Sequence, residues 1–276
     1  MRTGTASAIE TYTLWYDAGV SEPSSLSRFT IVLWRPKSPG NVGSVARAMK
    51  NMGFSRLRIA DPMRYDDPSH FDVESSRMAW SAGDVVAARE ETESIESAVA
   101  DAVLVAGTTS APPDGHAVLT PRDLAPRLLE AAETGPVALL FGQEDIGLTR
   151  EAMARCQILG SIPSSTAYSS LNLAQAALLF MYEIRMAATV TAGRADASGP
   201  AAGTDLPSQE DLEGFYRRLH SLLDSAGFFE GTAKEHMVRE LRRVFNRALL
   251  TRREIGIFEG VVHALSRDRL RRRGEP

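Results

Sequence analysis

The chain has 276 residues, a formal net charge of −4, five scattered histidines and one cysteine, Cys156. A lone cysteine excludes an internal disulfide and the histidines show no metal-ligand spacing, so the composition favours a reducing, cytoplasmic setting and a metal-free site. The sequence has no apolar run of about twenty residues and no basic segment followed by an apolar stretch. It therefore predicts neither a membrane span nor a secretion signal.

Positive charge is carried almost entirely by arginine, because lysine occurs only at Lys37, Lys50 and Lys234. The densest run of arginine lies between residues 239 and 273. Arginine binds phosphate through paired hydrogen bonds and stacks on bases, so this local basic patch favours an RNA partner despite the negative net charge. The alternative is that these arginines only solvate helix faces, and composition leaves both interpretations open.

The polar residues 1–27 show no sustained period and are predicted to form a flexible extension. From Phe29 onwards, short apolar runs alternate with helical patterns, which is typical of an α/β fold with a mostly parallel sheet covered by helices. The predicted helices begin near Val42, Ser94, Pro121, Arg150 and Leu171. The predicted strands are Phe29–Trp34, Leu57–Ile59, Ala102–Ala106, Val137–Phe141 and Ile158–Ile162.

The last third of the chain differs from the part before it. Residues 188–204 are rich in Ala, Gly, Ser and Thr and are predicted to form a linker. Residues 205–276 carry apolar side chains at helical spacing and are predicted to form a basic helical extension. Its first helix is bounded by Ser208 and Gly227, and its last begins at Thr251 with a Thr-Arg-Arg-Glu capping box.

Three loops carry the candidate site. The first motif, NVGSVARAM, spans Asn41–Met49 and places Arg47 in a helix that follows a strand. The second, FGQEDIGLT, spans Phe141–Thr149, and the third, YSSLNLA, spans Tyr168–Ala174. The last two follow apolar strands, where backbone N–H groups can face a ligand. No third glycine completes a dinucleotide fingerprint near the first motif, which argues against a nicotinamide-dependent dehydrogenase.

The order, spacing and residues of these motifs resemble those of the SPOUT-class RNA 2′-O-methyltransferases of the SpoU family, over about residues 28–268. The resemblance implies a SPOUT α/β trefoil-knot fold with a mostly parallel sheet in residues 28–187, knotted over about residues 137–185, and a C-terminal helical extension. It also implies S-adenosyl-L-methionine as the cofactor, no metal, tRNA as the substrate, and a homodimer in which one subunit completes the RNA site of the other.

The activity implied by the resemblance is methylation of a ribose 2′-hydroxyl in tRNA. The expected target is a pyrimidine, cytidine or uridine, at position 32 of the anticodon loop. Two alternatives stay open: methylation of another tRNA or rRNA nucleotide, and a non-catalytic RNA-binding role. The intact Arg47 and cofactor motifs argue against the second alternative.

The resemblance assigns the central catalytic role to Arg47, as a deprotonated base or as an electrostatic activator, and a catalytic or substrate-orienting role to Ser170. The electrostatic role is favoured, because a guanidinium stays protonated and can bind a phosphate while stabilising charge on the 2′ oxygen. Without the resemblance, Arg47 is a solvent-facing helix arginine and Ser170 is a helix N-cap.

The resemblance further assigns Asn41, Glu144 and Asn172 to RNA contact or to orientation of the loops. On the residues alone, Asn41 is a helix N-cap and Glu144 is a charge near the helix that starts after Thr149. Gly142 follows a strand, where a missing Cβ lets a ligand approach the main chain. The cofactor-binding residues implied by the resemblance are Thr108, Thr109, Ser110, Gly142, Ile162, Ser169, Ser170 and Leu171.

Overall fold

The fold is built on a seven-stranded sheet. The computed structural model describes residues 23–63, 68–112, 118–165, 170–195, 205–229 and 234–273. The strands are β1 (Phe29–Trp34), β2 (Arg56–Ala60), β3 (Glu90–Thr92), β4 (Leu104–Thr108), β5 (Val118–Leu119), β6 (Val137–Phe141) and β7 (Ile158–Gly160). Their order is β3-β2-β1-β6-β4-β7-β5, and every pairing is parallel. This confirms the α/β class with a parallel sheet.

The central strands β1 and β6 were predicted to the residue. Both are apolar and buried along almost their whole length, as expected of parallel strands covered on both faces. The prediction for β4 was two residues too early, so Gly107 and Thr108 belong to the strand rather than to the turn after it. Strand β7 ends at Gly160, two residues before the predicted end.

Helices flank the sheet and form the C-terminal part of the chain. Within the described residues they are α1 (Pro39–Met52), α2 (Pro68–Ala79), α3 (Gly83–Ala87), α4 (Ile95–Val99), α5 (Pro121–Thr134), α6 (Arg150–Met153), α7 (Leu173–Ala195), α8 (Gln209–Ser225), α9 (Lys234–Ala248) and α10 (Arg252–Arg273). Two short 3₁₀ helices span Ser24–Arg28 and Trp80–Ala82.

The start of α1 corrects the prediction that Asn41 caps this helix. The N-cap is Ser38, with Pro39 in the first helical position, where its missing N–H costs nothing. Asn41 is the third residue of the helix, and its backbone N–H lies 3.4 Å from the Ser38 hydroxyl. Its side chain is therefore available for other contacts.

Two predicted domain boundaries also differ from the structure. Leu26 lies in the 3₁₀ helix before β1 and is buried in the main core, so the end of the predicted extension is part of the folded domain. Helix α7 continues to Ala195, into the predicted linker 188–204. The remaining linker residues and residues 1–22 lie outside the described part of the chain, and the knot over about residues 137–185 stays a prediction.

The sequence patterns missed β3, β5, α2 and α3. Strand β3 is a short edge strand with exposed glutamates, and β5 has only two residues, so neither has an apolar signature. Helix α2 shows no clear apolar periodicity of its own and is stabilised by its contact with α1. A Cβ on Gly43 of α1 would lie 2.0 Å from the Ser75 carbonyl oxygen, so the two helices meet backbone to backbone.

Helix α7 is apolar on more than one side. Its segment Leu173–Val190 is long and apolar enough to cross a membrane, and 33% of that segment is buried inside the chain. The buried face, which includes Phe180 and Ile184, belongs to the main core and packs against α1 and α5. The opposite face leaves Leu178, Leu179 and Tyr182 exposed. This is a core helix with one uncovered apolar face.

The C-terminal helices have a small core of their own. Leu212, Phe215 and Tyr216 of α8 pack against Ile255 and Val262 of α10. The predicted Ser208 cap is present as a full capping box, and the predicted capping box at Thr251 is present as well. The Ser208 side chain accepts from the backbone of α8 while Asp211 returns a bond to Ser208, and Thr251 and Glu254 do the same at α10. The predicted helical extension therefore folds as a compact unit.

Buried polar contacts dock this unit on the sheet domain. The Asn246 amide donates to the Ala154 carbonyl at 3.1 Å and accepts from the Tyr216 hydroxyl at 2.7 Å. Within the unit itself, Glu213 of α8 pairs with both terminal nitrogens of Arg242 of α9, at 2.5 and 2.6 Å. Burial raises the pKa of the Glu213 carboxyl, but the hydrogen bond and charge of Arg242 outweigh it and hold the pKa below its ordinary value.

Candidate functional site

A cavity of about 370 Å³ lies at the carboxyl edge of the sheet, where β4, β6 and β7 end. Open α/β sheets bind ligands at this edge, and the volume falls within the range of about 300–1,000 Å³ usual for small-molecule sites. The walls combine loop backbone and hydroxyls with apolar side chains from α7. The predicted residues that line it are Thr108, Thr109, Ser110, Gly142, Glu144, Ile162, Ser170 and Leu171.

The cavity thus includes every predicted cofactor residue that the structure describes, while Ser169 lies outside the described residues. The sequence interpretation missed Leu173, Ala176 and Phe180 of α7, which form part of the wall. Their spacing of three and four residues places them on one helix face that starts at the third motif. This spacing in the sequence could have identified the three residues as part of the site.

The end of β4 and the turn after it are fixed by hydrogen bonds to the two neighbouring strands. The Thr108 hydroxyl donates to the Leu140 carbonyl of β6 at 3.2 Å. The Thr109 N–H donates to the Gly160 carbonyl of β7 at 3.0 Å. These bonds hold the hydroxyls and backbone of residues 108–110 at the cavity.

The loop after β6 folds back on Gly142, which changes the interpretation of this glycine. A Cβ on Gly142 would lie 2.1 Å from the carbonyl carbon of Gly147 and 2.3 Å from its oxygen. Gly147 has a φ of +65° and donates its N–H to the Gln143 carbonyl at 2.9 Å, which closes the loop. The space where a Cβ would stand at Gly142 is therefore taken by its own loop, and Gly142 also lines the cavity.

Glu144 lies at the N-terminus of α1 and not, as the sequence suggested, at the helix after Thr149. Its carboxylate accepts from the backbone N–H groups of Lys37 and Ser38, at 2.8 and 3.1 Å, and from the Asn41 amide at 2.9 Å. These three donors fix the carboxylate at the start of the helix. Glu144 thus ties the second motif to the first.

Asn172 completes the connection by joining the third motif. Its amide donates to the Asn41 side-chain oxygen at 2.9 Å, and its own oxygen accepts from the Ala174 N–H at 2.9 Å. The second bond makes Asn172 the cap of α7, so the expectation that Ser170 is the cap is wrong. Ser170 is exposed and lines the cavity. The chain Glu144–Asn41–Asn172 links all three loops.

Arg47 is not brought to the cavity within one chain. It is exposed on α1 and has no hydrogen-bond or ion-pair partner among the residues that the structure describes. It comes six residues after Asn41, which places it about 9 Å along the helix and about 120° around it. The structure leaves this guanidinium available for a ligand at the surface of α1.

The electrostatics of the cavity mouth involve one further pair. Lys37 donates to the Asp145 carboxylate, and this hydrogen bond holds the Asp145 pKa below its ordinary value. In the part of the chain that the structure describes, no three His, Cys, Asp or Glu side chains gather as a metal site. The site is thus a cavity with hydroxyl, backbone and apolar walls, tied to the helix that carries an exposed arginine.

Residues 28–182 match the model of the SpoU rRNA Methylase family, and residues 210–275 match that of the TrmJ C-terminal domain. The first match covers more than half of the chain and contains the cavity. The chain belongs to the SpoU methylase family. All three motif loops fall inside this SpoU match, so the resemblance drawn from the motifs is confirmed.

Named relatives extend the likeness over most of the chain. It is 34% identical over 241 residues to tRNA (cytidine/uridine-2′-O-)-methyltransferase TrmJ of Sodalis glossinidius, covering 87% of this chain and 92% of the relative. It is 35% identical over 246 residues to tRNA (cytidine/uridine/adenosine-2′-O-)-methyltransferase TrmJ of Pseudomonas aeruginosa, covering 86% and 93%. The crystal structure of TrmJ from Z. mobilis ZM4 matches with a TM-score of 0.72 and 29% identity, covering 86% and 98%.

Proposed function

We propose that this SpoU family member is an S-adenosyl-L-methionine-dependent methyltransferase that acts on a ribose 2′-hydroxyl of tRNA. The observation that supports it most is that the second and third motif loops line one cavity and are both hydrogen-bonded to Asn41 of the first motif. The likeness of the chain to TrmJ enzymes also extends over both of its parts. The C-terminal match favours tRNA over rRNA, because the relatives that carry this domain are named as tRNA enzymes.

The cavity fits the proposed cofactor. Hydroxyls of Thr108, Ser110 and Ser170 and the backbone of the Gly142 loop offer hydrogen bonds, while Ile162, Leu171 and Phe180 offer an apolar wall for an adenine ring. The cofactor supplies a methyl group on a positively charged sulfur, which an oxygen nucleophile can displace. The protein's task is to align that nucleophile and to assist loss of its proton.

Arg47 is proposed to bind the phosphate next to the target nucleotide and to stabilise negative charge that develops on the 2′ oxygen. Its exposure and its lack of an intramolecular partner among the described residues keep the guanidinium available for that contact. Ser170, exposed at the cavity, is proposed to orient the ribose. Asn41, Glu144 and Asn172 are proposed to position the loops rather than to touch the substrate.

A homodimer is proposed to complete the site. Arg47 is exposed on α1 and does not line the cavity of its own chain, so a second chain is needed to bring a guanidinium to that cavity. The uncovered apolar face of α7, with Leu178, Leu179 and Tyr182, begins one turn from the cavity wall at Leu173. Pairing of two such faces buries them and places one protomer beside the cavity of the other.

The tRNA surface is proposed to include the C-terminal helices. Some of their arginines are used inside the protein, since Arg242 pairs with Glu213 and Arg252 with Asp211. Others are exposed, and within the described residues they have no partner: Arg247, Arg253 and Arg267. These are the candidates for phosphate contacts. A tRNA substrate also accords with the proposed cytoplasmic location.

The deciding experiment is to incubate the purified protein with labelled S-adenosyl-L-methionine and unmodified total tRNA, then map methylated riboses by nuclease digestion and mass spectrometry. A 2′-O-methylated pyrimidine at position 32 of the anticodon loop would establish the proposal. Methyl transfer only to rRNA, or to another tRNA nucleotide, would support the proposed reaction but contradict the proposed target nucleotide. Cofactor binding without transfer to any RNA would favour a non-catalytic role.

We expect replacement of Asn41 to uncouple the three loops. Asn41→Ala removes two hydrogen bonds at 2.9 Å, so cofactor affinity and methylation should each fall about tenfold. Asn41→Asp should be worse, because a carboxylate would face the Glu144 carboxylate. Cofactor titration calorimetry and initial rates measure both effects. Ser44→Ala, which loses only a bond to the Gly40 carbonyl on the same helix, is the matched control. Equal effects of all three variants would contradict the role of this connection.

A further inference from the structure

Trp80 is an exposed aromatic residue that neither packing nor backbone geometry explains. At 78% exposure it is the most exposed large apolar side chain among the described residues. Its φ of +53° lies in the left-handed region, which is unfavourable for a residue with a side chain and which glycine adopts freely. An indole held here at such a cost points to a role outside the fold.

The turn that carries Trp80 packs along the face of α1 that carries Arg47. Gly43, Arg47 and Lys50 lie four and three residues apart, so they share one face of α1. A Cβ on Gly43 would lie 2.9 Å from the Ala79 backbone nitrogen, and the Lys50 ammonium donates to the Ser81 carbonyl at 2.8 Å. These contacts flank Trp80 on both sides. The turn Trp80–Ala82 therefore runs along the helical turn that carries Arg47.

The surroundings of Trp80 suit RNA better than a protein partner. Arg77 is exposed, and in the described part of the chain it has no partner. Ser76 and Ser81 are also exposed, and on the adjoining helix α2 the exposed large apolar side chains among the described residues are Val73 and Met78. Three such side chains among cationic and hydroxyl groups form too small an apolar patch for a stable protein interface. It matches the way proteins bind single-stranded RNA, with a base stacked on an aromatic ring and phosphates held by arginine.

We propose that Trp80 is a stacking platform for an unpaired nucleobase of the RNA substrate, next to the nucleotide whose phosphate Arg47 binds. The inference rests on the proposed function, since it takes RNA as the substrate. By stacking on one unpaired base, Trp80 would fix the position of the RNA loop, so that one ribose reaches the cavity. It is a substrate-binding residue and takes no part in the methyl transfer itself.

Three replacements of Trp80 distinguish the loss of base stacking from an effect on protein stability. Stacking on an aromatic ring is worth roughly a 5- to 150-fold change in affinity, so Trp80→Ala should lower kcat/KM for tRNA by about tenfold or more, mainly through KM. Trp80→Phe should retain most of the activity. Trp80→Gly should lose as much as Trp80→Ala while its Tm stays equal to or above that of the wild type, because glycine removes the backbone strain. Val73→Ala, which trims another exposed apolar side chain two turns earlier on α2, should leave kcat/KM unchanged.

A measurement of RNA binding tests the role of Trp80 independently of the proposed methyltransferase activity. A stacked base quenches indole fluorescence, so single-stranded oligoribonucleotides should quench the wild type more than Trp80→Phe, which keeps the other two tryptophans. Quenching without any methylation would contradict the proposed function and support the platform. Equal quenching in both proteins, or unchanged kcat/KM in Trp80→Gly, would overturn the platform. A change in sedimentation mass of Trp80→Gly would assign Trp80 to a protein interface instead.

Discussion

Arg47→Ala is expected to reduce methylation to background while cofactor affinity stays within about twofold of the wild type. The loss follows from the proposed electrostatic role, because removal of one group that stabilises charge in a transition state typically lowers kcat by about 100- to 1,000-fold. The unchanged affinity follows from geometry, since Arg47 is exposed on α1 and does not line the cavity. Single-turnover rates with tRNA and calorimetric titration with the cofactor measure the two quantities separately.

The control for this variant is Arg127→Ala, which removes an exposed arginine from α5 and should change neither quantity. Arg47→Lys keeps the positive charge but loses the planar fork, so it should recover only a small part of the rate. A parallel loss of cofactor affinity in Arg47→Ala would place the guanidinium at the cofactor and would contradict its role toward RNA.

Mixed dimers test whether Arg47 acts on the cavity of its own chain or on that of the partner. The Arg47→Ala variant keeps the cavity intact, and the Gly142→Ala variant keeps Arg47. If the arginine acts across the dimer, mixing equal amounts and allowing subunit exchange should restore about a quarter of wild-type activity, because half of the dimers then contain one complete site out of two. If Arg47 acts within its own chain, no activity returns.

The parts of the fold that could be predicted are those specified by local chemistry. Strand β6 is a continuous apolar run and β1 is interrupted only by Thr30, as expected of parallel strands buried on both faces. The starts of α5 and α6 follow Thr120 and Thr149, whose side chains cap them. Elements that are stabilised mainly by neighbouring elements have no comparable pattern in the sequence. Helix α2 depends on the backbone contact between Gly43 and Ser75, and β5 is two residues long.

The same division applies to the site. The motifs predicted the loops that meet at the cavity, because parallel strands bring their carboxyl ends to one edge. They did not predict the contacts between loops. Ser38 precedes a proline, a usual start for a helix, but the nearby Asn41 suggested a later cap. Once Ser38 caps α1, the Asn41 side chain is free to join Glu144 to Asn172 over separations of 103 and 131 residues. Such long-range pairs follow from the fold, and no local pattern encodes them.

Gly142→Ala is expected to lower cofactor affinity by at least tenfold and to lower methylation with it. The new Cβ would meet the carbonyl carbon and oxygen of Gly147 at 2.1 and 2.3 Å and the Leu148 nitrogen at 2.3 Å, so the loop must move away from β6. Forcing extra volume into such a contact usually costs about 1–3 kcal/mol. Because this loop lines the cavity and carries Glu144, its displacement alters the cofactor wall and breaks the bonds to α1.

Gly147→Ala provides the matched control, since it adds the same methyl group to the same loop. No atom lies within 4 Å of a Cβ at this position, but the φ of +65° disfavours any residue except glycine. Its cost is therefore conformational, about 1 kcal/mol, and Gly147→Asn should largely avoid it because asparagine tolerates the left-handed region. Calorimetric titration should thus rank cofactor affinity as wild type, Gly147→Asn, Gly147→Ala and then Gly142→Ala. If Gly142→Ala binds as tightly as Gly147→Ala, then contact with Gly147 is not what shapes this wall of the cavity.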